Sequence, residues 1–422
     1  MTNILFICII VIICADYAIE RFLDYINAKH RKTALPAELQ DIYNAEEYEK
    51  QQRYEEAKSN ISFWSSTLST VVILALLFCS AFAWLDTWIY ATFGSAAQPL
   101  NHIWAGLLFF GILGFAADIL GKPFEIYNTF VIEQRFGFNK TTAKLFVFDT
   151  LKSWLLAALL GAAVLAALLA LMSYFGEWFW LYAWVFISLI MIAITMFYSS
   201  LIVPLFNKQT PLEDGELKQA IAEFASNVGF KLDTIFVIDG SKRSTKANAY
   251  FSGLGAKKRI VLYDTLIQEM TVDEIVAVLA HEIGHYKKKH TRSMILASLL
   301  QMGVMLFVLG LCVRVPQFTE ALGVPYEQGK YHIALLVFAL LYTPLSFAIS
   351  LVFNYVSRTH EFEADAYAAQ HYSAESLSQA LRKLSKRNLS NLTPHPWYVF
   401  CYYSHPDLYQ RLQALKQLKV EN

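Results

Sequence analysis

Charge is scarce in this chain. Only 17% of its 422 residues are Asp, Glu, Lys or Arg, while 56% are hydrophobic and mean hydropathy is +0.37. A soluble domain typically carries about 25% charged residues, so this balance excludes an ordinary soluble globular protein and points to a polytopic membrane protein. An excess of either sign is missing too. Thirty-five Lys and Arg offset 35 Asp and Glu, so no basic surface argues for nucleic acid as a partner. Cysteine is sparse and scattered: Cys8, Cys14, Cys79, Cys312 and Cys401 lie mostly in apolar runs with no CxxC spacing. That pattern suggests neither a disulfide framework nor a thiolate metal site. Internal repeats and low-complexity tracts are lacking. The apolar N-terminus, MTNILFICIIVIICADYAIERF, has neither the basic n-region nor the clean small-x-small site of a signal peptide. An uncleaved first span is the expectation there.

Long apolar runs are what the chain has in abundance. A span needs about 20 mostly apolar residues, and seven segments qualify, near 2–19, 63–85, 103–120, 153–174, 178–204, 293–313 and 332–355. The first is short, and the third carries Asp118, which marks either an aqueous interior or the end of the span. Lys and Arg alternate between loops. They are plentiful around 20–62, absent around 86–102, plentiful again around 121–152, absent around 175–177, then frequent in 205–292 and after 355. By the positive-inside rule the N-terminus is outside, and the 205–292 segment and the C-terminal tail share the cytosolic side.

The expected fold is therefore mainly α, a polytopic membrane protein of about seven transmembrane helices with a small cytosolic α/β insert. Residues 1–204 hold five spans and a cytosolic helical loop at 20–62. Residues 205–292 form the insert, 293–358 hold the last two spans, and 359–422 form a cytosolic helical tail. Within the insert, TPLEDGELKQAIAEFASNVG reads as an amphipathic helix opening at Pro211 and ending at Gly229. LDTIFVIDG reads as a strand, and 248–252 with 259–263 as a hairpin around Gly253 and Gly255. A helix then starts at Thr271, whose spacing to Glu274 is that of a capping box. Residues 36–58 read as a further cytosolic helix.

That helix from Thr271 contains HEIGH. His281 and His285 are four apart, so both imidazoles project from one face and can grip one Zn²⁺. Glu282 can take a proton from an attacking water. The plainer alternative is a helix C-terminus using histidines to meet its dipole. A catalytic zinc needs a third protein ligand and an open position. The histidine that a metzincin would supply six residues after His285 is here Thr291. SRTHEFEADAYAAQHY, continuing the seventh span into the cytosol, is the best alternative source. Glu361 and Asp365 share one face there, Glu361 as a ligand and Asp365 as a group orienting a ligand imidazole. Glu363 is expected to be a solvated acid turned away from that face. His30, His102, His290, His332, His371 and His395 have no partner at metal spacing and read as interface or surface residues. Lys287, Lys288 and Lys289 read as a face meeting anionic lipid headgroups.

HEIGH followed about 75 residues later by ExxxD, with YNTFVIEQRFGFNKTT, PLFNKQTPLEDGELK, GSKRSTKANAYFSG, KRIVLYDTLI and SHPDLYQRLQAL, resembles the CAAX prenyl protease type 1 family of zinc metallopeptidases. The likeness runs along almost the whole chain. It implies one Zn²⁺ per chain on His281, His285 and Glu361, with Glu282 as general base. Asp365 would orient a histidine or donate a proton, and His405, with Arg411 nearby, would stabilise the oxyanion. Asn248, Ala249 and Tyr250 would form an edge strand pairing with the substrate backbone. The resemblance further implies a large chamber within the helices, and peptide substrates, prenylated or not, from which the last three residues are removed.

Compact loops and a C-terminal KVEN without a dilysine pattern favour a bacterial cytoplasmic membrane, with the endoplasmic reticulum as the setting in a eukaryote. Two alternatives stand beside this reading. One is a quality-control protease of unprenylated membrane proteins. The other, from a different class, is a transporter or non-catalytic metal-binding membrane protein, which would need neither the HExxH glutamate nor a second carboxylate motif on the same side.

Overall fold

A sequence this apolar can satisfy its backbone in a bilayer only through helices or a closed barrel, and the computed structural model is mostly helix. It describes residues 3–31, 35–94, 101–231, 234–252 and 259–420. Helix α1 (Ile4–His30) opens on Asn3, whose side chain accepts from the Leu5 amide at 2.9 Å. Helix α2 (Ala45–Phe78) opens on a complete capping box between Asn44 and Glu47. The cytosolic helix expected at 36–58 and the span expected at 63–85 are thus one continuous α2 after a short 3₁₀ turn at Ala37–Leu39. The expected span does not run unbroken. It turns at Ser80, which sits in the left-handed region at φ 50°, into α3 (Ala81–Phe93).

The chain continues with α4 (His102–Tyr127), α5 (Ala143–Leu156), α6 (Ala162–Tyr174) and α7 (Phe179–Phe197). Single π-helical turns at Asn128–Glu133, Ala157–Gly161 and Tyr198–Ile202 extend or join them. Asp118 lies well inside the continuous helix His102–Glu133, so the helix does not end there. Its carboxylate accepts from Trp154 Nε1 at 2.7 Å and pairs with Lys122 at 3.3 Å.

The short α8 (Val203–Phe206) leads into the insert: β1 (Gln209–Pro211), α9 (Glu216–Asn227), β2 (Ile235–Ile238), β3 (Ala249–Ser252), β4 (Arg259–Tyr263), α10 (Asp264–Glu269) and α11 (Val272–Lys287). Pro211 does not open the amphipathic helix. It closes β1, a strand with no alternating pattern to announce it, and α9 starts after Gly215. The expected helix end holds: Gly229 adopts φ 58°, as a C-terminal glycine does. The sheet runs β1–β2–β4–β3, with β3 antiparallel to β4 and β2 parallel to it, so the expected hairpin is present. Gly253 and Gly255, expected in its turn, lie outside the described residues. Helix α12 (His290–Cys312), α13 (Pro316–Glu320) and the long α14 (Tyr331–Ala368) follow. A π turn at Ala369–Ser373 joins α14 to α15 (Ala374–Arg387), and α16 (Pro396–Tyr402) and α17 (Leu408–Val420) close the chain.

Six helices among the described residues are long and apolar enough to cross a membrane. The remaining expected span, the first, is α1, a helix whose apolar run meets Asp16, Glu20 and Arg21 after little more than three turns. Even so, it exposes Ile4, Ile7 and Val11. Between 6 and 17% of the apolar windows of the six is buried. Most of their apolar surface is thus left for lipid or an interior space, and the helices touch through two smaller clusters, one around Phe109 and one around Phe179. The largest core lies elsewhere, in a body assembled from the start of α2, residues 132–138, the insert, and α15 with α17. The site is built on this body.

Candidate metal centre

Helix α11 is placed by its own first turn. Thr271 Oγ1 accepts from the Glu274 amide at 3.3 Å, and Glu274 returns a carboxylate oxygen to the Thr271 amide at 2.8 Å. Ile275, Val276, Leu279 and Ile283 sink into the core, which turns His281 and His285 toward α14. The two helices meet at Gly284. A Cβ there would lie 3.1 Å from Tyr367 Cβ and 3.2 Å from both Cα and O of Ala364. The glycine of HEIGH thus sets how near the histidines come to the acids of α14, a role that the motif's spacing does not reveal.

Across that contact Glu361 meets both histidines. Its Oε1 is 3.2 Å from His285 Nε2, its Oε2 is 3.4 Å from His281 Nε2, and the two Nε2 atoms are 3.2 Å apart. One ligand atom from each of the three residues falls within 4.8 Å of the others. Glu361 is 5% exposed, and its Oε2 is buried without a hydrogen-bond donor. Buried acceptors are rarely left so. Two imidazole lone pairs and a carboxylate oxygen facing one point with too few protons among them suit a divalent cation.

Each histidine is also gripped from behind. On the first side His281 Nδ1 is 2.8 Å from Asp365 Oδ1. Arg411 holds the same carboxylate with a two-pronged fork, Nη2 to Oδ1 at 2.6 Å and Nε to Oδ2 at 2.8 Å, while its Nη1 lies 3.6 Å from Glu361 Oε2. Burial pushes the Asp365 carboxyl up, but Arg411 and His281 outweigh it and hold it below the ordinary range. Burial likewise opposes charge on Glu361, and its histidine hydrogen bonds outweigh this and lower its pKa. For His281 burial works against the imidazolium, yet the nearby Asp365 and Glu361 carboxylates outweigh it and raise its pKa to about 9 in the metal-free protein.

On the second side the expectation from spacing fails. His290 is not an unpartnered surface residue: it is 4% exposed, with Nδ1 2.9 Å from His285 Nδ1 and Nε2 2.9 Å from Glu363. Glu363 is accordingly paired rather than merely solvated. His360 stacks on His290, ring centroids 3.9 Å apart, and does not reach the ligand set. Spacing arguments missed these contacts because the chain turns a corner at Lys289, left-handed at φ 63°, between α11 and α12.

Glu282, half-buried one residue after His281, lies near enough that its charge acts on Arg411. His405 sits in the loop before α17 with its Nε2 3.4 Å from Glu361 Oε1, its Nδ1 3.0 Å from Ser404 Oγ, and its side chain 63% exposed. A cavity of about 750 Å³ reaches His405 and Arg411 from Tyr54 and Asn391. Asn248 is exposed at the head of β3, and Ala249 and Tyr250 pair with Leu262 and Val261 of β4. Strand β3 is the sheet's last, so among the described residues its other edge carries no strand. Lys288 and Lys289 are exposed at the end of α11, whereas Lys287 donates to the Gly229 carbonyl at 3.2 Å.

This geometry has close counterparts. A family profile described as CAAX prenyl protease N-terminal, five membrane helices, matches residues 24–208, and that of peptidase family M48 matches residues 211–419. The chain is 36% identical over 420 residues to CAAX prenyl protease 1 of Saccharomyces cerevisiae, covering 95% of this chain and 93% of that protein. It is 32% identical over 447 residues to the Homo sapiens CAAX prenyl protease 1 homolog, covering 96% and 93%. The crystal structure of S. mikatae Ste24p matches with a TM-score of 0.92 at 35% identity, over 97% of this chain and 99% of that one.

Proposed function

The chain belongs to peptidase family M48, in its CAAX prenyl protease 1 group, and from that premise we propose that it removes the last three residues of prenylated CAAX substrates. It is a multi-pass membrane metallopeptidase. The observation that carries the reading is the convergence of His281, His285 and Glu361 on one point, with a buried Glu361 oxygen lacking a donor. One Zn²⁺ per chain fits these residues, and when bound it would supply a Lewis acid for the scissile carbonyl.

The remaining work belongs to the chain's own groups. Glu282 accepts the proton of the attacking water and passes it to the leaving amine. His405, exposed and close to Glu361, donates to the oxygen on which negative charge develops. Arg411 has Nε and Nη2 committed to Asp365, so it contributes its charge and keeps Asp365 aimed at His281. Strand β3, through Asn248, Ala249 and Tyr250, takes the extended substrate by strand addition. The alternation of basic loops supports a cytosolic position for this body, and compact loops favour a bacterial cytoplasmic membrane.

Purified protein assayed on a farnesylated CAAX peptide and its unprenylated counterpart, with and without chelator, tests the proposal. Cleavage before the last three residues, lost with chelator and restored by zinc, is expected, with the farnesylated peptide preferred. Chelator-resistant cleavage would overturn the metal reading. Equal rates on both peptides would favour a quality-control protease. Glu282→Gln should retain zinc and lose about 10²–10⁴-fold in kcat.

A further inference from the structure

We infer that His290 and Glu363 are positioning residues for the metal site, holding His285 in the tautomer and orientation that present its Nε2 lone pair to the ion. The inference rests on the reading of His285 as a ligand. A carboxylate can only accept, so the 2.9 Å contact between Glu363 Oε2 and His290 Nε2 places a hydrogen on that nitrogen. In a neutral His290 the other nitrogen, Nδ1, is then an acceptor. The 2.9 Å contact between His290 Nδ1 and His285 Nδ1 therefore needs the hydrogen to sit on His285. That leaves His285 Nε2 bare, and Nε2 is the atom that faces His281 Nε2 and Glu361 Oε1, each at 3.2 Å.

The arrangement mirrors the other flank with one link added. His281 is gripped by Asp365 directly, whereas His285 is gripped by Glu363 through an intervening imidazole. Helix α14 supplies both carboxylates, Glu363 and Asp365, from the two turns that carry Glu361. The intervening ring is held on its own account. It is buried, and His360 stacks on it with the rings 8° from parallel. On a continuous helix residues five apart do not face each other. Here Lys289 breaks the helix, and His290, as the first residue of α12, is turned back onto the last turn of α11. Partners behind a ligand histidine typically carry a 10- to 100-fold share of metal affinity.

The test is zinc affinity of the full-length detergent-solubilised protein, measured by competition with a chromophoric chelator, together with the visible spectrum of the Co²⁺-loaded protein. His290→Phe keeps a ring against His360 and removes both nitrogens. It should weaken zinc binding by about 10- to 100-fold and shift the Co²⁺ bands, with melting in chelator unchanged. Glu363→Ala, at a half-exposed position, should weaken binding in the same direction, and Glu363→Gln should recover part of the loss because its amide oxygen still accepts. Zinc affinity of His290→Phe within twofold of the parent would overturn the inference. If that variant does not fold, parental affinity in Glu363→Ala overturns it instead. A parent whose zinc binding is untouched by His285→Ala would show that the ligand assignment itself is at fault, and the inference would fall with it.

Discussion

Helix α14 buries a histidine–carboxylate contact at each end, and the two are put to different uses. At its first turn, His332 Nε2 lies 2.8 Å from Asp86 Oδ1, and Lys330 lies 3.5 Å from Asp86 Oδ2. The ring of His332 packs against Phe109 with centroids 5.1 Å apart. Both oxygens of this one carboxylate are met, one by an imidazole and one by a cation, so Asp86 itself is satisfied and ties α3 to α14, although His332 Nδ1 is left buried without a partner among the described residues. At the last turns, Glu361 and Asp365 meet His281, His285 and Arg411. There Arg411 and His281 Nδ1 satisfy Asp365, while Glu361 and two Nε2 atoms converge on one point with fewer protons than acceptors. Burial and pairing are common to both ends. What distinguishes the functional end is a surplus of acceptors aimed at one point, since only such a surplus calls for a cation.

The sharpest way to break the comparison is to delete one acid at each end. Glu361→Ala should abolish zinc binding and peptide cleavage, a loss of at least about 10³-fold, because two imidazoles alone leave the site without its third protein ligand. Asp86→Ala strands the buried His332, whereas Lys330 keeps Glu327 at 3.0 Å; it should cost about 1–3 kcal/mol of stability, while zinc affinity in the folded fraction stays parental. Metal content and thermal melting of the two variants, measured side by side, check both statements. Loss of zinc in Asp86→Ala would show that the ends are coupled through α14.

A pH series sharpens the contrast further. In the metal-free protein His281 titrates at about 9, above its unfolded value. Its contribution to stability is therefore fully present below about 6.5 and is lost as pH rises through 9. Zinc must displace that proton. The melting difference between zinc-loaded and chelated protein should accordingly widen from pH 6.5 to 9, and zinc uptake near pH 7 should release a proton. Parallel melting curves across that range would refute it. A smaller effect is expected at the contact that sets the geometry. Gly284→Ala places a Cβ 3.2 Å from the Ala364 carbonyl oxygen, so it should cost about 1–3 kcal/mol and weaken zinc binding, as melting and chelator competition would register.

Much of this was legible beforehand because it is local. HEIGH puts two candidate ligands and a candidate base within one helix turn, and ExxxD puts Glu361 and Asp365 on one face, so helical periodicity alone pairs them. Apolar run lengths marked the membrane segments, although they could not show that α2 carries its polar first half into the apolar run without a break, or that Ser80 turns the expected span. The capping box at Thr271 and the hairpin of β3 and β4 were likewise written in neighbouring residues. Strand β1 was not, because three residues with no alternation carry no signal of their own.

What the sequence by itself determined, then, was the class of chemistry and the solvent on each side of it. Histidine and carboxylate at a four-residue spacing share one helix face and so can meet one ion, and runs of about 20 apolar residues have to be shielded from water. The tertiary structure alone decided which groups stand behind the ligands. Gly284 against Ala364, Arg411 forked onto Asp365, and His290 folded back between His285 and Glu363 are all contacts across helix boundaries. Their partners are chosen by packing distance and by one left-handed residue at a corner, and neither leaves a period in the chain.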